Sequence, residues 1–165
     1  MEEQFIELIK NGNLQEIKEF YNINPNINIS ADNECAFSYS CGLGLLEVAK
    51  WLLEIKPNNN ISINYESAFR WACGEGHLEV AKWLLEINPN IDISADNEHV
   101  FRCVCAHGHL HVAKWLLEVK PDINISINNE RPFSWACGEG HIEVTKWLLE
   151  VKPDIDISAQ DDIAK

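Results

Sequence analysis

The sequence predicts an all-α fold of five stacked helix pairs. Three observations predict it. The first is a period: Trp51, Trp83, Trp115 and Trp147, Pro25, Pro57, Pro89, Pro121 and Pro153, and Gly12, Gly44, Gly76, Gly108 and Gly140 all recur at 32-residue intervals. The second is apolar spacing. In the third block Phe69, Ala72 and Cys73 are three and four apart, and so are Leu78, Ala81, Leu84 and Leu85, which puts each set on one helical face. The third is punctuation. Gly74 and Gly76 stop the first helix, and Pro89 stops the second by removing an N–H and pushing Asn88 out of the α region.

The blocks read Met1–Asp32, Asn33–Asn64, Tyr65–Asp96, Asn97–Asn128 and Asn129–Gln160, one domain over 1–160, and residues 161–165 begin a sixth block. Helix pairs are expected at Glu34–Leu43 with Leu46–Ile55 and at each position 32 further on. Asn- and Ile-rich alternations such as NIDIS then form an extended finger to the next helix. Neither helix alone buries enough apolar surface, so neighbouring blocks must stack.

The stretch GHLEVAKWLLE resembles the second helix of an ankyrin repeat, and AFRWACGEGH stands in the place of its T-P-L-H-x-A first helix. The resemblance covers the whole chain, with Met1–Asp32 as a divergent first repeat. The sequence departs from the family in its 32-residue period, in Phe37, Phe69, Phe101 and Phe133 where the family has Leu, and in lacking the Thr-Pro pair. The Asn- and Ile-rich dialect is similar to ankyrin arrays of large DNA viruses. The resemblance implies a helix-turn-helix solenoid whose first helices and fingers line a concave groove for partner proteins.

Composition narrows the function. With 46% hydrophobic and 24% charged residues the chain is expected to be globular. It shows no secretory signal and no apolar run long enough for a membrane span, which predicts a cytoplasmic protein, of the host cell if viral, with six reduced cysteines. A net charge of −13 argues against nucleic acid and favours a partner with a basic patch.

The stretch CVCAHGHLHV, residues 103–112, concentrates cysteine and histidine, the residue types that bind zinc. Repeat register assigns Cys105 to a core column with Cys41, Cys73 and Cys137, and His109 to a structural ladder with His77 and His141. Cys103, His107 and His111 depart from the pattern and are the candidate metal ligands, against drift on an exposed helix end. No metal and no cofactor are expected. There is no Ser, His and acid combination outside the repeat and no P-loop, so the chain reads as a non-enzyme.

Comparing blocks separates scaffold from surface. EVAKWLLEI, EVAKWLLEI, HVAKWLLEV and EVTKWLLEV barely change, as packing on both sides requires, and their Trp column is expected to lie between adjacent second helices. The first helices vary, and the variable positions hold Tyr39, Tyr65, Arg70, Trp71, His99, Arg102, Arg131 and Trp135, residue types that carry protein interfaces. These eight are the candidate partner-binding residues. The recurring Glu before them is expected to open each helix. The alternative function is a structural element that stacks end to end through an uncapped fifth repeat, giving a monomer or weak self-association. LLEVKPDIN also matches the ankyrin pattern that asparaginyl hydroxylase modifies, with Asn124 as target, against a purely structural Asn in the finger turn.

Overall fold

The computed structural model describes residues 1–29, 31–55 and 62–157, with side chains described outside 31–35 and 62–64. The expected sixth-block stub, the end of the fifth block and the finger at 56–61 lie outside these residues. Among the described residues there are ten helices and no strand: α1 Glu2–Asn11, α2 Leu14–Ile23, α3 Ala31–Gly42, α4 Leu46–Ile55, α5 Ser62–Gly74, α6 Leu78–Ile87, α7 Ala95–Ala106, α8 Leu110–Val119, α9 Ile127–Gly138 and α10 Ile142–Val151. The chain forms two compact units, one of Met1–Ala72 with His77–Ile91 and one of Cys73–Gly76 with Asp92–Lys165.

The second helices α4, α6, α8 and α10 fall on the expected bounds. In the first unit Val80, Ala81 and Leu84 bury one face of α6, and in the second Val112, Ala113 and Leu116 do the same for α8. Phe5, Phe69 and Phe101 are among the largest fully buried side chains and centre the first-helix layer of their units. The Trp column is wedged rather than displayed. Trp51 meets Tyr21 of the preceding second helix edge-on at 5.5 Å. Trp83 and Trp147 instead lie on the Phe of the preceding block's first helix, Phe37 at 6.3 Å and Phe101 at 6.5 Å.

The turn between paired helices explains the Gly-His signature. Gly108 closes α7 at φ 77, a left-handed conformation that glycine adopts without a Cβ clash. The N–H of His109 then donates to the Val104 carbonyl at 3.0 Å, satisfying a helix-end acceptor. Each imidazole also rests on the glycine one block earlier. A Cβ on Gly76 would lie 2.7 Å from His109 Nδ1, and His77 sits on Gly44 in the same way.

The first helices differ from expectation at their starts. In α7 the residues Asp96, Asn97 and Glu98, and in α9 Asn128, Asn129 and Glu130, are left-handed, with φ between 52 and 59. The right-handed helix therefore begins at His99 and at Arg131, which places Pro132 in a first turn, where its missing N–H costs no hydrogen bond. Asn and Asp tolerate this conformation best among non-glycine residues. Glu98 and Glu130 consequently do not open a helix into solvent. Both are buried, and Glu98 Oε1 accepts from the Asn124 N–H of the following finger at 3.3 Å.

The fingers at Asp92–Ser94 and Asn124–Ser126 are turns rather than extended segments. Asp92 Oδ1 accepts from Ser94 N–H at 3.0 Å, and Asn124 Oδ1 from Ser126 N–H at 3.1 Å. These side-chain turns bend the backbone and send Ile91, Ile93 and Ile123 inward.

Candidate functional site

In the first unit the candidate residues gather on the first helices. Trp71 of α5 is 46% exposed, yet its ring is fixed. It lies against Gly42, where a Cβ would come within 2.9 Å of Trp71 Cε3, and it meets Tyr39 edge-on at 5.5 Å. Tyr39 in turn carries Lys10 Nζ over its face at 5.8 Å. Tyr65 is half-buried and packs edge-on to Phe37 at 6.0 Å. Arg70 is half-buried on the same helix.

In the second unit the candidates centre on Trp135. Arg131 lies over its ring at 5.0 Å and Arg102 at 5.9 Å, both within cation–π range. Arg131 is exposed. Arg102 also binds the backbone, its Nε donating to the Asn97 carbonyl at 2.9 Å and its Nη2 to the Asp96 carbonyl at 3.0 Å. It thereby secures the left-handed entry to α7. His99 lies beside Cys103, with Sγ 3.7 Å from the imidazole nitrogens.

The candidate metal ligands are not brought together. Cys103 faces His99, while His111 Nε2 is 2.9 Å from the Gly76 carbonyl oxygen. Among the described residues no group of three or more His, Cys, Asp or Glu side chains is placed to hold a metal ion. Burial pushes the Cys41 thiol up to about 12 and raises Cys73 and Cys105 as well, so these three thiols stay protonated and unreactive. Desolvation, then the charges of His107 and His111, lower the His109 pKa.

The family model for ankyrin repeats (3 copies) matches residues 5–97 and 71–161. The chain belongs to the ankyrin repeat family. Among solved structures it is similar to an ankyrin repeat family protein from Legionella pneumophila, at 31% identity and a TM-score of 0.58, over 69% of this chain. The match spans 36% of that protein. No curated protein matches the chain. Ankyrin repeats are generally non-catalytic modules that mediate protein–protein interaction. Among the described residues no helix of this ankyrin chain is long and apolar enough to cross a membrane.

Two structural features of this ankyrin array are not legible in its sequence. One is the capture of Arg102 by backbone carbonyls, which depends on the left-handed entry. The other is a cavity of about 360 Å³ beside α1, lined in part by Lys10 and Tyr39. The divergence of the first block was its only signal.

Proposed function

We propose that this chain binds a partner protein through the first-helix and finger side of its repeats, the side that is concave in the family. Trp71 is the observation that carries the reading. A large aromatic ring left 46% exposed, and held in place by Gly42 and Tyr39, has lost its conformational freedom before any partner arrives. Such rings make interface anchors because little entropy remains to be lost on binding. In the second unit Trp135 with Arg131 offers an aromatic and cationic pair of the same kind. Arg102 supports Trp135 and its own helix entry, which makes it a positioning residue. Tyr39, Tyr65, Arg70 and His99 extend the two faces. The net charge of −13 favours a partner with a basic surface.

The test is affinity capture from native cells, followed by titration of the purified partner. Trp71→Ala and Trp135→Ala should each weaken binding by ~2 kcal/mol or more, whereas Lys82→Ala on α6 should not. Loss of binding with Lys82→Ala and its equivalents, alongside full affinity in both Trp variants, would move the interface to the second helices. The alternative of end-to-end self-association is supported by Ile142, 63% exposed where Leu46, Leu78 and Leu110 are half-buried. It predicts a sedimentation coefficient that rises with concentration.

A further inference from the structure

The cavity of about 360 Å³ lies between α1, the first finger and α3, wholly within the first unit. Its walls are mostly apolar: Phe5, Ile29 and Ala36 are buried, Ile6 and the Tyr39 ring are half-buried, and the exposed Asn28 adds one polar side chain. Its rim is acidic, with exposed Glu2, Glu3 and Glu7. Two of these carboxylates have a cation nearby. Lys10 Nζ is 2.6 Å from Glu7 Oε1, and the Met1 amine is 3.9 Å from Glu2. Glu3 has no ion pair among the described residues.

Apolar walls with a carboxylate rim suit a side chain that is apolar along its stem and cationic at its tip. The Lys10 ammonium already rests over the Tyr39 ring while bonded to Glu7, so the wall accepts a cation from within the chain. Guanidinium suits the site better than ammonium. It is planar, stacks on an aromatic face, bonds carboxylates with two donors at once and sheds water more readily. The rim carries three carboxylates against two cations, Lys10 and the Met1 amine, on a chain of net charge −13, so one carboxylate is left in excess and the charge complementarity points to a basic occupant. An acidic or purely apolar segment would leave Glu3 beside a like charge or desolvate it without a partner.

We infer that this cavity receives an arginine side chain projecting from an extended segment of a partner protein, its stem against Ile6 and Ile29, its face on Tyr39 and its donors toward Glu3 and Glu7. The inference rests on the partner-binding reading above and names the chemistry of one contact in it.

The probe is a heptapeptide, Gly-Ser-Ala-Arg-Ala-Ser-Gly, with a control peptide in which neutral citrulline replaces arginine. Each is titrated into the isotopically labelled full chain, and amide shifts are followed by NMR. Saturable shifts are expected around Phe5, Ile6, Ile29 and Ala36, at least tenfold weaker with citrulline. Glu3→Gln with Glu7→Gln should weaken the arginine peptide about tenfold. A matched control, Glu79→Gln with Glu118→Gln on the second helices, should not. Shifts spread over the surface, equal binding of the citrulline peptide, or equal loss in the control would each overturn the inference. Failure here with Trp71→Ala still weakening the native partner leaves the docking face intact. Saturable filling of the cavity while both Trp variants bind the partner normally would instead remove the docking face and keep the cavity.

Discussion

The second helices and the first helices of this protein read the same 32-residue grammar and use it differently. In α4, α6, α8 and α10 nearly every position repeats, because one face is buried and the solvent face is kept by short-range pairs such as Glu47–Lys50 and Glu79–Lys82. In α3, α5, α7 and α9 the buried Phe column and the Cys column, half-buried only at Cys137, persist while the outward positions change from block to block. Repetition therefore marks the packing layer, and variation marks the side on which we propose that a partner docks.

The largest test of that contrast is Leu84→Ala. Leu84 is fully buried in α6, and truncation should cost ~2–5 kcal/mol in denaturant unfolding. Trp71→Ala should cost clearly less, and equal losses would erase the distinction between layer and surface.

A second test separates backbone strain from crowding. Gly76 is left-handed and has His109 against it, whereas Gly140, equally left-handed, has nothing within 4 Å. Gly76→Ala should cost roughly 2–3 kcal/mol, from left-handed strain plus displacement of the imidazole, and Gly140→Ala roughly 1 kcal/mol from strain alone. Equal melting points would show that the histidine ladder adds nothing.

His109 also carries a pH dependence. The folded pKa of His109 lies below its ordinary 6.5, so the unfolded chain binds more protons than the folded one as pH falls. The stability it contributes is fully present above about pH 6.5 and is lost as pH drops through the lowered value. Melting temperature measured from pH 8 to pH 5 should fall less steeply in His109→Gln than in the parent.

The smallest expected effect is Lys82→Ala. Its pair with Glu79 is exposed and 3.3 Å long, and surface pairs contribute ~0–1 kcal/mol. An unfolding loss above ~1 kcal/mol would show that the outer second-helix face does more than stay in water.

Sequence and structure agree where local chemistry decides the geometry. The bounds of α6, α8 and α10 follow from Gly-His at one end and Pro at the other, signals that act within a turn or two. The first-helix starts were not legible. Nothing in Asp96-Asn97-Glu98 or Asn128-Asn129-Glu130 requires three left-handed residues, and in α7 the conformation is met by Arg102 on the Asp96 and Asn97 carbonyls and by the distant Asn124 N–H on Glu98. The candidate residues were recognisable by type and register, and the structure clusters Tyr39 with Trp71, and Arg102 and Arg131 with Trp135. The structural duty of Arg102 was hidden, because backbone carbonyl directions leave no trace in composition.

Side-chain footprinting of the partner complex by hydroxyl radicals tests the central claim most directly. Trp71, Tyr39 and Trp135 lie on the first helices, while Ile87, Val119 and Val151 are exposed on the second helices and serve as internal comparators. The account predicts that bound partner reduces oxidation of the first set severalfold and leaves the second set unchanged. Protection confined to Ile87, Val119 and Val151 would contradict it.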